Sequence, residues 1–144
     1  ARSLGFVVRF HHLLPGLTAE ENVMMPLLIA GQPREDSRAR AREVLTAVGL
    51  SERWEHVPAE LSGGEAQRVA VARALAASPE LVLADEPSGN LDAAGAAALP
   101  DLLASLARER GQTLVIVTHN ERLAAMSDRT VVLESGRLTS RGGC

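Results

Sequence analysis

Apolar residues fall along this chain in two kinds of pattern. Short, mainly apolar runs occupy residues 4–10 (LGFVVRF), 80–84, 113–117 (TLVIV) and 130–134. Runs of this length, with β-branched residues inside them, predict buried strands. Elsewhere the apolar positions recur at helical spacing. Ala41, Val44, Leu45 and Val48 fall at i, i+3, i+4 and i+7 with arginines opposite, which predicts a helix over 35–48 with Gly49 as its C-cap. Leu99, Leu102, Leu103 and Leu106 share one face of a predicted helix over 93–109. Thr18, followed by Glu20 and Glu21, predicts a helix start; that helix runs toward Ile29 and is expected to be interrupted at Pro26. A helix from Ser62 to about Ala77 and a short one over 120–126 complete the set, and 51–60 reads as irregular.

The order of these elements carries an architecture. After Pro79, strands and helices alternate through three strands, which predicts a parallel sheet with right-handed crossovers. Residues 15–78 are helical instead. The chain therefore reads as α/β, with a core formed by 1–14 and 79–144 and a helical insertion over 15–78. No internal repeat or low-complexity segment is present.

Composition narrows the picture. With 144 residues and 46% apolar content the chain can bury a real core. Phe6, Phe10 and Trp54 are its only aromatic residues, so that core is aliphatic. A net charge of −3 gives no general attraction to nucleic acid or anionic lipid, and no nucleic-acid partner is expected. The single cysteine, Cys144, excludes a disulfide framework and fits a reducing compartment. No apolar stretch is long enough to span a bilayer, and no secretory signal is visible. The chain opens at Ala1 and enters a strand almost at once, which leads us to expect a fragment. All fifteen basic residues are arginine, so no site that needs a Lys ammonium can be built from these residues.

Three short segments carry candidate chemistry. In LSGGE, Leu61 to Glu65, Ser62 and Glu65 have the spacing of a capping box. Two glycines in a first turn cost about 1 kcal/mol each relative to alanine, and a plain cap does not need them. Bare amides beside a hydroxyl suit a phosphate. The pentapeptide alone fits either role. In LVLADEP, Leu81 to Pro87, a strand delivers two adjacent carboxylates to its C-terminal end, where open α/β sheets bind ligands. Two solvated acids would look the same; the functional reading gives Asp85 a Mg²⁺ ion and Glu86 the attacking water. His119 follows the strand TLVIV and is expected beside Asp85 and Glu86, where a neutral imidazole would bond a phosphate oxygen.

The order LSGGEAQR, LVLADEP, SGNLD (Ser88 to Asp92) and VTH resembles the ATP-binding-cassette family over essentially the whole chain. The segment from Gly5 to Ile29 resembles the LolD branch, the ATPases of lipoprotein-release transporters, with MacB-type exporters close by. The resemblance implies a partial P-loop NTPase core of RecA-like type with an inserted helical subdomain. It implies ATP and Mg²⁺ as cofactors. It makes Ser62, Gly63, Gly64, Glu65 and Gln67 a signature group that meets a nucleotide held by a second copy, head to tail. Asp85 becomes the metal ligand, Glu86 the catalytic base, His119 the switch histidine and Asp92 the D-loop acid. The implied partners are that second copy and a transmembrane permease, with the protein cytoplasmic and peripheral on the inner face of the cell membrane.

Four departures from the family pattern stand out. The phosphate-binding loop G-x-x-x-x-G-K-[ST] is absent from these residues. Arg9 occupies the Q-loop position, where a guanidinium cannot ligate Mg²⁺. Pro100 is expected to interrupt the helix after the D-loop or to restart it as a first residue. Ala66 replaces a polar residue, with little effect expected. Two functions follow: a transporter motor, or a truncated or degenerate domain that supplies only a signature face. A soluble cassette of the DNA-repair or translation type fits the HHLLP–ENV segment poorly.

Overall fold

The computed structural model describes residues 4–8, 11–89, 91 and 93–140; Arg9 and Asp92 lie outside that set. Three strands, β1 (Leu4–Val7), β2 (Leu81–Asp85) and β3 (Thr113–Val117), form a parallel sheet in the order β1-β2-β3. Leu4 pairs with Leu81, and Asp85 with Val117, so β2 is the central strand and its acidic end lies level with the end of β3. The fold is α/β, as the alternation of strands and helices predicts.

Helices α1 (Ala19–Ile29), α2 (Arg34–Ala47) and α3 (Gly63–Leu75) pack on one another through buried aliphatic residues, among them Val23, Leu27, Val44, Leu45, Val69 and Leu75. Helix α3 also packs on β1. A Cβ on Gly5 would lie 2.6 Å from the Ala74 carbonyl oxygen and 3.1 Å from Pro79 Cγ. Only glycine permits that approach. Helix α4 (Ala93–Arg110) adds Leu99, Leu103 and Leu106 to the same core, and α5 (Glu121–Ala125) adds Leu123.

Several expectations are corrected. Strand β1 ends at Val7. The run at 130–134 does not join the parallel sheet: β4 (Val131–Glu134) pairs antiparallel with a further strand, β5 (Arg137–Ser140), across Ser135 and Gly136. Both linking residues have positive φ, 48° and 76°, the requirement of a tight hairpin turn. Neither proline breaks its helix. α1 continues through Pro26 and α4 through Pro100, because the residues that follow them, Leu27 and Leu103, are committed to the core.

One face of the parallel sheet is buried through Gly5, Val7, Val82 and Ala84. The other presents Leu4, Phe6, Val115 and Val117, with Phe6 56% and Val117 61% exposed. Parallel sheets ordinarily have both faces covered.

Gly5→Ala is expected to destabilise the fold by about 1–3 kcal/mol, the cost of overpacking a site that cannot relax without moving backbone. The denaturant midpoint of the two proteins checks it; an unchanged midpoint would refute the close α3–β1 contact.

Candidate functional site

The first part of the site is the start of α3. Ser62 is its N-cap, in extended conformation, and its Oγ accepts the Glu65 amide at 3.2 Å. Glu65 Oε2 in turn accepts the Ser62 amide at 2.9 Å, closing the capping box. The Gly63 and Gly64 amides are the first two of the helix and so have no intrahelical acceptor. Ser62 and Gly63 are exposed, and a Cβ on Gly64 would meet nothing within 4 Å, so the turn opens on free space. The two readings of LSGGE are thus compatible: the cap forms, and it uses the Glu65 amide while leaving two amides outward.

Glu65 is held on its other oxygen as well. Arg53 Nε donates to Oε1 at 2.9 Å. The Ser62 amide first, and the Arg53 side chain second, hold the Glu65 carboxyl at about 2 against an ordinary 4.5. Nothing in the local pattern singles out Arg53, which lies twelve residues upstream in an irregular segment.

The second part is built by strand register. Because Asp85 pairs with Val117, the residues that follow, Glu86 on one strand and Thr118–His119 on the other, are brought together. Glu86 Oε1 accepts the His119 amide at 3.0 Å and contacts His119 Nδ1 at 2.7 Å. Thr118 Oγ1 lies 3.4 Å from Oε2, the longest of these contacts. Glu86 has φ of 43°, a strained value for a residue with a side chain, and is fixed there by its amide on the Val117 carbonyl at 2.9 Å. Asp85 is exposed at the strand end.

This contact sets the direction of the His119 ring, with Nδ1 toward Glu86 and Nε2 away from it. The side chain is 80% exposed, so Nε2 is free to meet a ligand.

Gln67 does not join the signature group at the surface. It is fully buried, with Oε1 on His11 Nδ1 at 2.5 Å. Two turns along α3, Arg73 donates to the His11 and His12 carbonyls at 2.7 and 2.8 Å, so the segment leaving β1 is tied to that helix twice. Arg9 and Asp92 fall outside the described residues. Among the described residues, no hydrogen bond or ion pair links the start of α3 to Glu86 or His119.

The donor set suits a nucleotide with its metal. Asp85 supplies a free carboxylate at the sheet's C-terminal edge, and no three-ligand cluster exists among the described residues. Mg²⁺ is ordinarily held by one or two carboxylates together with phosphate oxygens and waters, so a lone acid fits it where a closed cage would not.

A parallel sheet with an acid pair at its central edge, beside a helical layer opening in a capped diglycine turn, defines the α/β nucleotide-binding cassette class. Solved structures agree. The chain matches the ATP-binding cassette MJ0796, in a dimeric post-hydrolysis state bound to ADP and Pi, with a TM-score of 0.83 and 39% identity over 99% of this chain and 65% of that one. The ABC transporter family pattern matches residues 1–89, and the chain belongs to that family. Its relatives include the lipoprotein-releasing system ATP-binding protein LolD of Geobacter metallireducens, 60% identical over 96% of this chain and 61% of the relative. LolD of Bordetella pertussis is 56% identical over 95% and 59%. LolD 2 of Caulobacter vibrioides is 55% identical over 94% and 60%. The chain thus spans about three fifths of the length of the curated relatives it matches. These relatives bear out the likeness to the LolD branch.

The Glu65 carboxyl yields a pH dependence with a definite sign. Its folded value is depressed, so its stabilisation is complete above the ordinary 4.5 and is lost as pH falls from there toward about 2. The parent is expected to lose stability more steeply than Glu65→Gln between those limits, while Glu65→Gln is about 1 kcal/mol weaker at neutral pH through its damaged cap. Urea unfolding across that pH series checks both; parallel curves would overturn the pairing.

Proposed function

We propose that this chain is part of the ATP-hydrolysing motor of a membrane transporter of lipoprotein-release type. The observation that carries the reading is the pairing of Glu86 with His119 at the ends of adjacent strands. In this reading Glu86 is the base. Oε1 is committed to His119, so Oε2 takes the proton of the attacking water while Thr118 steadies it. His119 orients Glu86 through Nδ1 and meets phosphate oxygen through Nε2. Asp85 holds Mg²⁺, which when bound neutralises charge on the transferred phosphoryl group. Ser62 keeps its hydroxyl proton while accepting from Glu65, so Oγ donates outward, with the Gly63 and Gly64 amides, to a nucleotide held by a second copy. Gln67 acts from inside α3 rather than on the nucleotide. Asp92 keeps the role of D-loop acid that the family pattern gives it.

In this reading residues 1–14 with 79–144 form the catalytic core, and 15–78 form the helical part that meets a transmembrane permease at the inner face of the membrane. No helix among the described residues is long and apolar enough to cross a membrane. The uncovered sheet face at Phe6 and Val117 supports a further layer in the working protein. A second reading, a domain that lends only its signature face, is favoured by the identity of Arg9 at the Q-loop position of the family pattern, since a guanidinium offers a metal no ligand atom.

In the natural gene product, Glu86→Gln is expected to lower ATP turnover by about 10²–10⁴ and to hold the paired, ATP-bound state. Parental turnover in the variant removes Glu86 as the base. If the parent itself is silent but still activates a competent cassette, the second reading stands. Residues 1–144 alone are expected to show no steady-state turnover, since they contain no lysine and no phosphate loop. Turnover by residues 1–144, abolished by Glu86→Gln, would refute this.

A further inference from the structure

Two charges oppose each other in the first turn of α3. The dipole and bare amides of a helix N-terminus attract anions. Glu65 stands in that same turn, with its carboxylate 2.9 Å from the Ser62 amide. A bare carboxylate there satisfies the positive end of the helix itself and repels a phosphate approaching Ser62 and Gly63. The cap that orders the turn therefore works against the ligand the turn would bind.

Arg53 resolves the opposition. Its Nε donates to Glu65 Oε1 at 2.9 Å, the oxygen not used by the cap. The guanidinium is permanently charged, so the pair is neutral at every pH at which Glu65 is ionised. Its position is set from outside α3. Arg53 lies in the segment joining α2 to α3, and that segment is fastened to α1: the His56 and Trp54 carbonyls accept the Ala19 and Glu20 amides at 2.8 and 3.0 Å. Arg53 Nη1 also donates to the Glu52 carbonyl at 3.3 Å. The neutralising charge thus belongs to the helical layer as a whole, while Ser62 and Gly63 stay exposed.

We infer that Arg53 is a positioning residue for the nucleotide step: by neutralising Glu65 it lets the Ser62–Gly63–Gly64 turn accept a phosphate of a nucleoside triphosphate held by a second copy. The inference rests on the proposed function above and adds to it a residue that touches neither nucleotide nor metal.

The test is a double-mutant cycle on ATPase kinetics in the natural gene product. Arg53→Gln is expected to raise the half-saturating ATP concentration about tenfold, the scale of losing a charged hydrogen-bond partner. Maximal turnover should stay within about twofold, because the effect is on binding. In a Glu65→Gln background the same substitution should change half-saturation by less than about twofold, since no carboxylate remains to be neutralised. Arg53→Lys should recover most of the loss. Melting midpoints should stay within a few degrees across the set, as suits a surface pair. An equal rise in both backgrounds, no rise in either, or losses that track the melting midpoint would overturn the inference. A parent that neither hydrolyses ATP nor pairs in its presence overturns the proposed function and this inference with it; an active parent with a flat cycle overturns this inference alone.

Discussion

Gly5 has no side chain, and the Ala74 carbonyl occupies the space a Cβ would need. That contact seats α3 against the first strand of the sheet, and much of the molecule follows from it. Helix α3 is buried along Val69, Ala70, Val71, Ala72 and Leu75, and its small residues let α1 and α2 close over it. One end of α3 meets the sheet; the other is the capped diglycine turn. A helix so tightly held at its C-terminal end acts as a rigid arm for whatever its N-terminus touches.

The sheet contributes by register rather than by burial. Asp85 opposite Val117 is a backbone fact, yet it places a carboxylate and an imidazole from distant parts of the chain at 2.7 Å. The strained backbone at Glu86 has a consistent explanation there: positive φ turns its side chain back toward the neighbouring strand end and is fixed by the Val117 carbonyl. The geometry of the candidate site thus comes from the ends of strands whose interiors are ordinary aliphatic core.

Charge organises the helical layer. Glu20 is nearly buried and answered by both Arg38, at 3.0 Å, and Arg42, at 2.5 Å; Arg42 also lies over the Trp54 ring at 4.7 Å. Arg53 and Glu65 extend the scheme to the start of α3. Arginine suits these roles because its planar fork serves two partners at once. The same connecting segment therefore satisfies α1, stacks on α2 and steadies α3.

The amino-acid pattern alone determined the element types almost throughout, because aliphatic periodicity is a local signal: α2, α3, α4 and β3 lie within one or two residues of their expected bounds. It also determined the capping box at Ser62 and Glu65 and the acid pair at Asp85 and Glu86, since each is a contiguous motif. Tertiary structure decided the rest. Pro26 and Pro100 remain inside helices because core packing outweighs one lost backbone bond. β4 pairs with β5 because Ser135 and Gly136 adopt the turn conformation, a cue weaker than the apolar run it redirects. The inward turn of Gln67, the approach of His119 Nδ1 to Glu86 and the pairing of Arg53 with Glu65 depend on contacts between distant segments, which no local pattern encodes.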